Sequence, residues 1–436
     1  MGNWRIGNIK VEEMVETDPE VYRRRAYDAL CVGQYRTAIQ ETEKALKYSN
    51  NDIQDYVEIA RILVEMQEYR QCLEFIRQHK IVDYFFTEEY RKSGIRSALP
   101  QFFKIYLKCW KQVGGNLDEA DVIIAVSDGT GMVESLQDAI DMESRCHRIY
   151  FRNMDRDGVL GIIEKKDLCI IMDDQTLGKT RTGKTFSKVI INSGNVRFIN
   201  SDFSLTEYSV GVEINGGNVL FENTIFRNIY RRDLAIGVYV KNQALVSIKN
   251  CLNDYDSYGE IVMLYAECGE INMSHCIHYG TIAVIGKKGK CSLNMLSCGG
   301  QRVLVGYNTD SQITDCGCTY ITLEGKLQMD CQDNLVMNVN DTRACGGCIA
   351  AYNGGTMYLH NVGIKDNLGG RCDLEADNGK IFCENFLNNG YTVEIRQGMG
   401  KNTEIVCDFK YKIVNKLRNE LRMGAFLNKI NWLTEN

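Results

Sequence analysis

Cysteine is the residue type whose placement most invites a chemical reading. Cys345-Gly346-Gly347-Cys348 has Cys-x-x-Cys spacing, Cys298, Cys316 and Cys318 precede it, and His278 comes earlier still. If the chain here stacks in layers about 4.8 Å apart, residues at one corner of successive layers come within ligand distance. Thiolates so gathered, with an imidazole, would hold zinc or an iron–sulfur cluster. The competing expectation is that the thiols are small buried apolar groups, as Cys251 and Cys276 are when read directly after a turn position. Otherwise no cofactor is expected. His275 stands in for a turn asparagine, His360 immediately precedes one, and no Ser-His-Asp or Cys-His order supports nucleophilic catalysis. Gly183-Lys184-Thr185 resembles the end of a phosphate loop, but Leu177 occupies the place of its first glycine and no helical pattern follows.

Composition sets bounds on these possibilities. The 436 residues carry a net charge of −6 with both signs interspersed, which lacks the basic footprint of a nucleic-acid binder. Met1 to Lys10 has no apolar stretch of the kind that directs export, and no apolar run is long enough to span a bilayer. Eighteen cysteines without such a leader fit a reducing, cytoplasmic setting. The two prolines, Pro19 and Pro100, both precede the strand-rich region, where a missing N–H would break a ladder.

The elements that position these residues come in two kinds. A shift of 34 residues superposes Tyr22 on Tyr56 and Tyr90, Ala26 on Ala60, Leu30 on Val64, and Tyr35 on Tyr69 and Phe103. The unit Ala29-Leu30-Cys31-Val32-Gly33-Gln34-Tyr35, followed by Ala38-Ile39 and Ala45-Leu46, resembles the tetratricopeptide repeat. Two units follow the pattern and a third, with Pro100, has drifted. The resemblance implies paired antiparallel helices over residues 1–115 whose concave side receives a protein partner or, as the plainer alternative, a packing cap.

From about Asp121 apolar residues alternate, Asn and Gly recur, and the period becomes about 18–29 residues. Asn200, Asn223, Asn250, Asn361 and Asn385 end the second strand of successive coils; Asn tolerates the left-handed conformation, so they predict a ladder of tight turns. This feature, with Val126-Ser127-Asp128-Gly129-Thr130-Gly131 and Ser135-Leu136-Gln137-Asp138-Ala139-Ile140, resembles the right-handed parallel β-helices of the pectin-lyase-like superfamily. The expected fold is therefore mixed: helical repeats, then an all-β right-handed parallel β-helix of about nine coils over 116–408. A capping helix is expected near 132–142 and a C-terminal helical cap over 409–436, because an open end would expose strand edges.

That superfamily commonly works in the groove outside the first strand of each coil. The reading places Glu213, Tyr239, Lys241, Tyr265, Glu324, Tyr352 and Asp373 on that outer face, with Arg302, Thr322 and Glu375 in the same row, as a surface on which a sugar chain could stack and hydrogen-bond. Within it, Asp254 or Asp256 would be the general acid or base, and Arg232 or Arg302 would stabilise developing negative charge. The hydrolase and lyase signatures of the superfamily are not matched residue by residue. The leading expectation is a non-catalytic scaffold or recognition protein whose helices bind a protein and whose β-helix presents a rigid face to a partner or glycan. A polysaccharide lyase or glycoside hydrolase is the alternative.

Overall fold

The computed structural model describes residues 17–92, 98–142, 146–152, 160–173, 175–179, 186–205, 210–228, 234–254, 261–324, 328–332, 335–336, 348–364, 372–386, 392–414 and 430. It divides into two compact units, one of residues 1–84 and 95–115 and the other of residues 85–94 and 116–436.

The first unit is helical. Helix α1 spans Pro19–Cys31, α2 Tyr35–Tyr48, α3 Ile53–Glu65 and α4 Tyr69–Gln78, so both members of the second pair start 34 residues after those of the first. The local signals repeat with the same offset. Asp18 and Asp52 each cap a helix by accepting the N–H two residues on, at 3.0 Å, and Gly33 and Gln67 take the same left-handed turn, with φ of 74° and 62°. Small buried residues let the helices approach: Ala26, Ala29 and Ala38 in the first pair, Ala60 and Cys72 in the second. Beyond α5 (Ile81–Phe85) the period is lost; α6 (Glu89–Lys92) falls in the second unit, and α7, of the first, runs Ala98–Gln112. Pro100 lies in its first turn, where no N–H is needed by the helix. Among the described residues no helix is long and apolar enough to cross a membrane.

The second unit consists of large parallel sheets, an arrangement compatible with a parallel β-solenoid. Thirteen strands, from Ile123–Val126 to Glu404–Cys407, form one sheet, and eighteen form the other. Pairing is parallel except between Gln175–Lys179 and Phe186–Ile191. Each layer repeats the one before it: Phe198 stacks on Phe221 at 5.2 Å and Phe203 on Phe226 at 5.3 Å between ring centroids. Helix α8 (Leu136–Asp141), capped by Ser135, packs Leu136, Ala139 and Ile140 into the interior beside the first strands. Residues 85–94 belong to this unit, and the Asn200 amide donates to the carbonyls of Phe85 at 2.8 Å and Thr87 at 2.9 Å.

The left-handed corner runs further than asparagine alone marks it. Asn200, Asn223, Asn250, His275, Ser297, Asp315, Asn361 and Asn385 all have φ between 50° and 55°. Ser297 and Asp315 hold the middle turns, where the sequence carries no asparagine to mark them.

Candidate functional site

Much of the row expected to face solvent is instead buried, with Glu213, Lys241, Arg302 and Glu324 half-buried. Glu213, Tyr239, Tyr265, Ala283, Leu304, Thr322, Ala350 and Glu375 follow one another as Cα partners across successive strands. Tyr239, Tyr265, Tyr352 and Asp373 are buried, as are Thr322 and Glu375. The physical reason is that the polar members share the outer face with Leu234, Ile236, Val262, Ala283, Ile285 and Leu304, and Ile430 packs into the same cluster. Val414 packs likewise on the cluster of Tyr320, Cys348, Ala350, Tyr352 and Cys372. These two points of the C-terminal stretch lie against the outer face of the strands; residues 415–429 and 431–436 of the expected cap lie outside the described residues. The signal was in the sequence: Ala235–Val240 is buried at all six positions, and an unbroken apolar run of this kind marks a strand covered on both faces.

Inside this covered strip the polar groups are satisfied by one another. Glu267, 1% exposed, accepts from Tyr239 Oη at 2.8 Å and Tyr265 Oη at 2.9 Å. Lys288 Nζ meets Oε2, the oxygen that Tyr239 bonds, at 2.5 Å, and Lys287 Nζ lies 3.8 Å from Oε1. Burial alone would push this carboxyl up, but the Lys288, Tyr239 and Tyr265 hydrogen bonds outweigh it and hold Glu267 below its ordinary range. Burial, with the adjacent Glu267 charge, pushes the Tyr265 phenol up. Glu213 is also depressed, burial being outweighed by Lys188 at 2.8 Å and Lys241 at 3.4 Å. Glu324 accepts from Asn353 Nδ2 at 2.7 Å.

Of the residues assigned catalysis, Asp256 and Arg232 lie outside the described residues, and of Asp254 only the backbone, in the strand Leu252–Asp254, is described. Arg302 sits in the row Thr281, Arg302, Tyr320, Cys348, with its guanidinium 5.6 Å from the Tyr320 ring centroid. Its neighbour in that arrangement is aromatic.

The metal set is divided among three places. Cys298 and Cys316 occupy the corner directly after the left-handed turn, in the same position as Ser201, Thr224, Cys251 and Cys276. Each of these six side chains donates to the carbonyl two residues before it, at 3.2–3.4 Å. The corner therefore selects a small donor. Cys318 and His278 lie just past that corner, second in the strands Gly317–Glu324 and Ile277–Ile285 and aligned through Gly300; burial pushes the Cys318 thiol up to about 12 and lowers His278, whose Nδ1 bonds to Gly280 O at 3.0 Å. Cys318 packs in the interior, whereas Cys348 lies on the outer face. Cys345 is outside the described residues. Among the described residues, the one set of three ligand atoms within 4.8 Å of one another is Cys348, Cys372 and Glu375.

No protein family, curated protein or solved structure matches this chain.

The helical unit carries a feature that sequence patterning did not single out, an open cleft of about 340 Å³ lined by residues of α1, α2, α3 and α7. At its base Arg23 forks onto Asp55 through Nε and Nη2, both at 2.8 Å, and bridges to Asp52 at 2.9 Å and Glu20 at 2.5 Å. Ser49 donates to the same Asp55 at 2.8 Å. The Asp55 hydrogen bond, aided by Glu20, holds the Arg23 guanidinium charged against its partial burial. Over this fixed base stand Tyr27, 66% exposed, and the amides of Gln54 and Gln101. Asp55 is a polar residue on the buried side of α3, and that misplacement in the apolar pattern was the available signal.

Proposed function

We propose that the chain is a recognition protein in which the helical unit, read as tetratricopeptide-type repeats, binds a segment of a protein partner in the Arg23–Tyr27–Gln54–Gln101 cleft. The strand-rich unit, read as a right-handed parallel β-helix of pectin-lyase-like type, serves as the rigid scaffold. The cleft carries this reading. An exposed aromatic ring beside amide groups, on a base locked by a forked ion pair, offers a rigid anchor with little ordering left to do on binding. The β unit also supports it, since Tyr239 and Tyr265, two of the three tyrosines expected to stack on sugar, are engaged with Glu267 under an apolar cover. A reducing, cytoplasmic setting goes with thiols that donate to backbone carbonyls along the corner.

The test places a photoreactive residue at position 27 and, as control, at the exposed Tyr307. A discrete protein cross-linked from position 27 only, then bound by the purified chain and weakened about tenfold or more by Tyr27→Ala, is the expected result. A partner that binds equally to Tyr27→Ala, or cleavage of an acidic polysaccharide by the purified chain with no position-27 adduct, would overturn the proposal in favour of the enzyme reading.

A further inference from the structure

The pair Cys348 and Cys372 with Glu375 is unlike the other thiols of the molecule. The corner cysteines form a single file, each offered mainly to a backbone carbonyl. Here two sulfurs and one carboxylate oxygen converge from adjacent layers, all within 4.8 Å of one another. Register explains the convergence: Ile349 pairs with Leu374 and Ala350 with Glu375, so Cys348 at the head of its strand meets Cys372 just before the next. All three residues are buried.

The two oxygens of Glu375 have different surroundings. Oε1 is held by Arg396 Nη1 at 2.5 Å, from the following layer, while Oε2 turns to the thiols, 3.9 Å from Cys372 Sγ. Arg396 is thus a positioning residue: it fixes the carboxylate and leaves one oxygen facing the sulfurs, the outer-shell arrangement that orients a metal ligand. A tetrahedral ion with a metal–sulfur bond of about 2.3 Å and a metal–oxygen bond of about 2.1 Å separates those two ligands by about 3.6 Å, a few tenths of an ångström less than the 3.9 Å between Cys372 Sγ and Glu375 Oε2. Charge agrees with distance. Two thiolates and Glu375 carry three negative charges, which Arg396 and one dication balance, and buried Asp373 beside them adds negative potential.

We propose that Cys348, Cys372 and Glu375 bind a soft divalent cation of the zinc class on the outer face of the sheet. Binding replaces the two S–H protons, which leave to solvent, by two metal–sulfur bonds, with no change of oxidation state. The site ties two layers together beside the covered strip. It is independent of the helical cleft and of what the cleft binds.

The full-length chain, produced in zinc-supplemented medium and purified without chelator, is assayed for metal by elemental analysis and native mass. One zinc per chain is expected, falling to none in Cys348→Ser and in Cys372→Ser, with Cys298→Ser retaining it. Cobalt-substituted wild-type chain gives a second readout that needs no variant: tetrahedral d–d bands with thiolate charge transfer are expected. The proposal is overturned by zinc-free wild type, by zinc retained in the Cys348→Ser/Cys372→Ser double variant, by zinc lost in Cys298→Ser while both site variants keep it, or by a cobalt spectrum without thiolate charge transfer. A chain lighter by two hydrogens with a Cys348–Cys372 disulfide would also overturn it.

Discussion

Glu267 shows how a buried carboxylate is held in its charged form by its neighbours. Two phenols and an ammonium replace its water, and each hydrogen bond to a charged group of this kind contributes about 1.5–3 kcal/mol. Lys288 is partly exposed, which weakens its share. Glu267→Ala is expected to destabilise the strand-rich unit by about 2–4 kcal/mol, read from urea midpoints by far-UV circular dichroism. Glu267→Gln, which keeps an acceptor, should cost less. The acid response has a defined sign. Because the folded carboxyl is held below its ordinary 4.5, its contribution is complete above pH 4.5 and is lost as pH falls through the lower folded value. The midpoint of wild type should therefore decline more steeply than that of Glu267→Gln below pH 4.5; parallel curves would remove Glu267 from the acid response.

At the scale of elements, the corner ladder joins conformation to composition. A left-handed residue in every layer costs about 1–2 kcal/mol unless it is Gly or Asn, so Asn223→Ala should destabilise by about that amount and Asn223→Gly by less, compared by equilibrium unfolding. The next position wants a small donor. Cys276→Ser should stay within about 1 kcal/mol of wild type and Cys276→Val should cost about 1–3 kcal/mol, since the one S–H shared between the Ile248 and Ser274 carbonyls is lost and a branched side chain takes its place. These corners also show what sequence could and could not reveal. The 34-residue offset located both helix pairs, because capping aspartates and small contact residues are local signals. Five turn asparagines located the outer layers of the ladder, whereas Ser297 and Asp315 adopt the same backbone only because their neighbours above and below impose it. The outer row was legible as a shared face, with the register between about 281 and 347 left open; the structure supplies it by pairing Thr281, Arg302, Tyr320 and Cys348 in turn. The burial of that row was signalled at Ala235–Val240, where the apolar run is unbroken; elsewhere the cover comes from distant residues such as Ile430 and Val414, which periodicity within a strand does not report. The cleft rests on Arg23 meeting Asp55 across two helices, a pairing set by packing angle.

For the whole molecule, Ile430 is the described point at which the end of the chain meets the strands laid down much earlier. Ile430→Ala is expected to cost about 2–4 kcal/mol, and Ile430→Asp to uncover the Tyr239–Tyr265–Leu304 strip, measured as increased binding of a hydrophobic dye with the far-UV spectrum of the sheets retained. Loss of the sheets themselves would make the cover part of the fold's foundation. That closure has a consequence for biogenesis. More than a hundred residues separate Leu304 from Ile430, and at a synthesis rate of about 5–20 residues per second the strip emerges from the ribosome on the order of 10 s before the residue that packs on it. During that interval a nascent chain with stacked layers presents an apolar seam to the cell, and holding chaperones have their natural point of engagement there.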